Sequence, residues 1–137
     1  MSTPDPVRTP TVDDVLGPLG AAVMHTVWQQ GEATVASVAA ALAEDGTSTS
    51  AYTTIMTIMG RLHDRGLLLR EKRGRVFVYR AAAYENAILE RLSRDALDQL
   101  LARFGSTAYR QFAMRLNEVD PELRRRLLDL AESESAP

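Results

Sequence analysis

After three successive segments with apolar residues at helical spacing, the chain changes period. The stretch "LLLREKRGRVFVYR", residues 67–80, reads as strand, basic turn and strand. Leu67–Arg70 is expected as the first strand. Lys72–Arg75 is expected as the turn, with Gly74 supplying the unusual dihedrals, and Val76–Arg80 as a second strand rich in β-branched and aromatic residues. Upstream, Leu16, Leu19, Val23, Met24, Val27 and Trp28 fall three to four apart and predict a helix ending before Gly31. Thr34 then caps a second helix with Val35, Val38, Ala39 and Leu42 inward, ending near Asp45 and Gly46. Ser50 is expected to cap a third, which stops near Gly66.

Helix, helix, helix, hairpin is the element order of a winged helix-turn-helix, in which the third helix lies in the DNA major groove and the hairpin reaches the flanking backbone. The third helix, "YTTIMTIMGRLHD", has two finished faces. At 100° per residue, Ile55, Ile58, Met59 and Leu62 share one side, and Thr53, Thr54, Thr57, Arg61 and Asp64 share the other. A side chain that reads a base edge from a helix must be short, able to donate or accept, and able to offer a methyl to thymine. Threonine meets all three requirements. Arg61 is long enough for a phosphate or a guanine, and Tyr52, at the start of the helix, is placed with this group. Lys72, Arg73 and Arg75 at the hairpin tip suit sequence-independent phosphate contacts. Alone, a threonine-rich face is a solvated face and a basic tip is a soluble turn; their combination carries the inference.

Charge is distributed in the same sense. The net charge of −2 conceals one Arg against six acids in residues 1–49, seven basic residues against two acids in 50–83, and eight against ten in 84–137. A local basic patch attracts a polyanion whatever the whole-chain balance. The absence of cysteine excludes disulfides and thiol nucleophiles. No apolar run reaches membrane-span length, and the start lacks a signal-peptide pattern, so a cytoplasmic location without membrane insertion is expected. His25 and His63 are far apart without a carboxylate or second ligand at metal spacing, and no Gly-rich phosphate loop occurs. No catalytic residue, metal or cofactor is therefore expected. Trp28 fits a core anchor and the five methionines fit core gap-fillers.

"MSTPDPVRTP" carries three prolines and few apolar residues, so residues 1–15 are expected as a flexible arm. Beyond the hairpin, "AYENAILERLSRDALDQLLARF" forms a stripe containing Ile88, Leu92, Leu100 and Phe104, more apolar surface than a small winged helix covers. Phe112 follows in a second helical segment, residues 106–117. Asp120 and Pro121 open a last helix carrying Leu123 and Leu127. Two copies interlocked through these seven residues would set two recognition helices about 34 Å or a multiple apart. The alternative is that these helices fold back on their own chain. The expected fold is thus mainly α with a small β-hairpin, with a DNA-binding domain at 16–83 and a helical dimerisation region at 84–137.

The segments "LGPLGAAVMHTVWQQGEATVASVAAAL" and "AYTTIMTIMGRLHDRGLLLREKRGRVFVYR" closely resemble the penicillinase-repressor family, which includes the repressors of β-lactamase and methicillin-resistance genes. The resemblance implies a cytoplasmic homodimer of winged-helix subunits that represses transcription at a near-palindromic operator. It carries the recognition contacts over to Thr53, Thr54, Thr57 and Arg61. Several relatives are inactivated by a signalling protease that cuts an Asn-Phe bond in the C-terminal region. Here Gln111 and Phe112 stand at that place, a departure that leaves proteolytic induction open, with an unidentified inducer acting through the dimer interface or a signalling protease as the alternatives. A different class of function, a winged helix that docks a protein and binds no DNA, is disfavoured by the basic segment.

Overall fold

A computed structural model describes residues 8–135. The element order is α1 (Val12–Gln30), α2 (Val35–Glu44), α3 (Tyr52–Asp64), β1 (Leu68–Arg73), β2 (Val76–Ala81), α4 (Glu85–Phe104), α5 (Ser106–Glu118) and α6 (Pro121–Ser135). The fold class expected from the sequence is the one observed: helical, with a single two-stranded antiparallel sheet among the described residues. The chain forms two compact units that divide between Arg91 and Leu92.

In the first unit, which begins at Pro10, α1 starts earlier than expected. Asp14 accepts a hydrogen bond from the Thr11 backbone N–H at 2.8 Å, and Val12, fully buried, donates its N–H to Glu85 at 3.1 Å. The arm expected over residues 1–15 therefore gives way to helix at Val12; residues 1–7 of it lie outside the described residues. Helical spacing is legible only from Leu16 because the helix is broken beside it. Gly17 takes φ 78° and ψ 167°, and Pro18, which disfavours helical backbone before it, starts the second segment.

The cap of α2 and the inward faces of α1–α3 follow the expected pattern. Thr34 accepts from the Ser37 N–H at 3.0 Å while Ser37 Oγ accepts from the Thr34 N–H at 2.9 Å, a reciprocal cap for α2. Val23, Met24 and Val27 of α1, Val35, Val38 and Leu42 of α2, and Ile55, Met59 and Leu62 of α3 form a common core. Leu67, Leu68, Tyr79 and Ile88 are also buried. Trp28, expected as a core anchor, is half-buried and lies outside the fully buried core; its indole N–H donates to the Ala83 carbonyl at 2.9 Å. One further pairing joins the sheet: Ala33 and Tyr79 exchange backbone hydrogen bonds at 2.8 and 2.7 Å and tie the α1–α2 connection to β2.

The second unit comprises α4 from Leu92 onward, α5 and α6. Asp120 accepts from the Leu123 N–H at 2.9 Å with Pro121 in the first helical position, so the expected opening of the last helix is observed. Arg124 donates to the Leu116 carbonyl at 3.0 Å. Apolar residues remain outside: Leu100, Phe104, Phe112, Met114, Leu128 and Leu130 are each 40–55% exposed. Leu100, Phe104, Ala108 and Phe112 line a cleft of about 530 Å³.

Candidate nucleic-acid interface

α3 is fixed from behind and left bare in front. Ile55, Met59 and Leu62 are at most 4% exposed, whereas Thr53, Thr54, Thr57 and Arg61 are all exposed. The Thr57 hydroxyl donates to the Thr53 carbonyl at 2.9 Å, a back-bond that holds its rotamer and leaves the oxygen lone pairs free to accept. Tyr52 is half exposed. The expected cap is not the one used. Ser50 bonds to Ser48 instead, and Ala51 takes the N-cap position with no side-chain hydrogen bond. At the other end, the Arg91 guanidinium donates to the Gly66 carbonyl at 2.6 Å, placing a cation where the helix dipole is negative.

The wing departs from its expected register. β1 runs on to Arg73, Arg73 pairs with Val76, and the turn contains only Gly74 and Arg75. Gly74 has φ 65° and no non-glycine residue has positive φ among the described residues, the pattern of a type II′ turn. Lys72 and Arg73 are strand residues, and Arg75 alone of the three lies in the loop. Arg70 stacks on Phe77, 4.1 Å from the ring centroid, and reaches the Tyr79 hydroxyl at 3.4 Å.

Arg73 is already occupied. Its guanidinium grips Glu32 through two bonds, of 2.9 and 3.0 Å, and bonds to Glu71 at 2.6 Å. Hydrogen bonding and then charge from Arg73 hold the Glu32 carboxyl below its ordinary value, and both carboxylates push the Arg73 pKa upward. Of the three wing residues expected at phosphates, Lys72 and Arg75 have no ion-pair partner among the described residues, while Arg73 is committed to its own chain.

Two of the seven residues expected at a dimer interface are corrected. Ile88 is 0% and Leu92 6% exposed within one chain, so neither has surface to give a partner. Leu100, Phe104 and Phe112 are exposed, and Leu123 and Leu127 are half-buried. The methionine expectation also splits. Met24 and Met59 are buried, Met56 and Met114 are each 46% exposed, and Met1 lies outside the described residues. His25, expected without a carboxylate neighbour, meets Asp13 at 3.1 Å across the α1 break and draws its carboxyl below the ordinary value. Among the described residues no three His, Asp or Glu side chains come together as a metal site.

Residues 16–133 match the model of the penicillinase repressor family. Among solved structures, the chain is similar to Bordetella bronchiseptica BpsR, described in a study of the regulation of its DNA binding by 6-hydroxynicotinic acid. The identity is 17%, the TM-score is 0.45, and the match covers 91% of this chain and 79% of that one. No curated protein matches.

Proposed function

This chain belongs to the penicillinase repressor family of transcriptional regulators, and from that premise we propose that it is a cytoplasmic homodimer that represses transcription by occluding a promoter at a near-palindromic operator. In this reading α3 of each subunit enters the major groove with Thr53, Thr54, Thr57 and Arg61 toward the bases, Tyr52 beside them, and Lys72 and Arg75 of the wing on flanking phosphates. The observation that carries it is the row of exposed hydroxyls on a helix whose opposite face is buried in the core. A helix presented in this way enters the groove without losing its support. Residues 84–137 would supply the dimer through Leu100, Phe104, Phe112, Leu123 and Leu127, of which the aromatic and leucine side chains around the α4–α5 cleft are the most exposed. No helix of the described residues is long and apolar enough to cross a membrane.

The test is a binding comparison. Thr54→Ala and Thr57→Ala are expected to weaken binding to a selected duplex by roughly tenfold or more while sparing random duplex, because a base contact is worth about 1–3 kcal/mol of discrimination. Equal losses on both duplexes would remove base readout from this face. A wild-type chain that shifts no duplex at all would favour the protein-docking winged helix instead.

A further inference from the structure

Gly60 lies in the interior of α3 and is explained by neither packing nor backbone. Its φ is not positive, unlike the glycines of the turns and caps, and a Cβ built on it meets nothing within 4 Å. Alanine would fit there and strengthen the helix, because glycine in a helix interior exposes backbone and loses the most conformational freedom. Taking Thr53 as 0° on the helical wheel, Gly60 falls at about −20°, Thr57 at about 40°, Met56 at about −60° and Arg61 at about 80°. The outward face is therefore a trough. Its floor is Gly60 with the two short threonines, and its rims are the long side chains of Met56 and Arg61. Met56 is 46% exposed, with its thioether arm on the solvent side while Met59, a turn away, is fully buried.

We propose that Gly60 and Met56 are specificity-determining residues: the missing side chain at 60 lets a base edge or its sugar approach the α3 backbone, and Met56 packs its apolar arm against a thymine methyl beside that contact. The inference rests on the DNA-binding reading above and goes beyond it, since it assigns function to a residue with no side chain and to an exposed methionine. An apolar side chain against the thymine C5-methyl is a recognised element of major-groove readout, and a flexible thioether adapts to that surface. Bulk at position 60 would hold the trough floor away from the groove by roughly the thickness of a methyl group and lengthen every contact made by its neighbours.

The experiment uses the full chain and a duplex selected from a random pool by the wild-type protein, with an unselected duplex as control. Gly60→Ala is expected to raise the thermal midpoint by roughly 2–4 °C and to weaken the selected duplex about tenfold while leaving the control duplex unchanged. Met56→Ala is expected to relax the base preference at one position of each half-site in a repeated selection. A stabilised Gly60→Ala that binds the selected duplex as well as wild type overturns the proposal, as does one that loses equally on both duplexes. A destabilised Gly60→Ala shows that the glycine serves the fold and also overturns it. If the wild-type chain itself selects no duplex, the DNA-binding reading fails first and takes this one with it; the other three outcomes leave that reading standing.

Discussion

The wing separates two arginines that the sequence presents as equivalents, and a salt titration should separate them too. Arg75 occupies the loop with no ion-pair partner among the described residues, whereas Arg73 is held by Glu32 at 2.9 and 3.0 Å and by Glu71 at 2.6 Å. Each phosphate neutralised adds about 0.9 to the slope of log affinity against log salt. A dimer with two wings would therefore lose about 1.8 from the slope in Arg75→Ala, and between 50 and 200 mM salt its affinity would fall roughly twelvefold less than that of the wild type. Arg73→Ala should move the slope by less than half as much, because DNA would have to break a two-pronged pair before gaining that cation. The converse variant, Glu32→Gln with Glu71→Gln, frees Arg73 and should steepen the slope toward an additional 1.8 or so. Fluorescence anisotropy on a labelled control duplex reads all four proteins. Equal flattening by Arg73→Ala and Arg75→Ala would refute the reasoning, and so would a double variant with the wild-type slope.

The same pair gives a pH expectation with a defined sign. The folded pKa of Glu32 lies below its ordinary 4.5, owing first to hydrogen bonds from Arg73 and then to its charge. Its contribution to holding the wing is present above that ordinary value and is lost as pH falls through the lower folded value. A carbon-detected NMR titration of Glu32 should find its midpoint below 4.5 in the wild type and higher in Arg73→Ala than in the wild type; coincident midpoints would dissolve the pair in solution. In the core of the same unit, Ile88→Ala should cost about 2–5 kcal/mol in denaturant unfolding, as expected for a leucine-sized cavity. For the dimer proposed above, Phe112→Glu should instead yield single chains in sedimentation. Dissociation by Ile88→Ala in a fully folded protein would return that residue to the interface.

Period alone made the α3 faces legible, because Ile55, Met59 and Leu62 against Thr53, Thr54 and Thr57 is a contrast that 3.6-residue spacing sorts without tertiary information. The hairpin was legible through Gly74, although its turn is tighter than expected, Gly74 and Arg75 in place of Lys72–Arg75. What period could not reach was long-range. The Glu32–Arg73 pair joins residues 41 apart, the Trp28–Ala83 bond residues 55 apart, and the Val12–Glu85 bond residues 73 apart. Composition presents Arg73 only as a cation. Its grip on Glu32 depends on the Ala33–Tyr79 pairing, which brings the α1–α2 connection beside the wing, whereas Glu71 lies two residues away on the same strand. Ile88 and Leu92 failed as interface residues for a related reason: a stripe on α4 shows that surface must be covered but not which neighbour covers it.

These particulars explain why α3 is built from residues that disfavour helices. Three threonines and one glycine cost about 2.5–3 kcal/mol relative to alanine, and the N-cap position held by Ala51 forgoes roughly another 1 kcal/mol. Burial of Ile55, Met59 and Leu62 returns about 1.5–3 kcal/mol each, so the inner face alone outweighs the outer. Tertiary contact decides that this segment is a helix. The outer face is thereby released from any duty to stabilise, and its residues answer to another requirement. A face optimised for solvent would carry alanine, glutamate and lysine; this one carries short hydroxyls, a gap and two long rims. On the proposed base readout, replacing Thr53, Thr54 and Gly60 together by alanine should therefore yield a more stable protein that no longer prefers the duplex selected by the wild type; retention of that preference would detach the shape of this face from DNA.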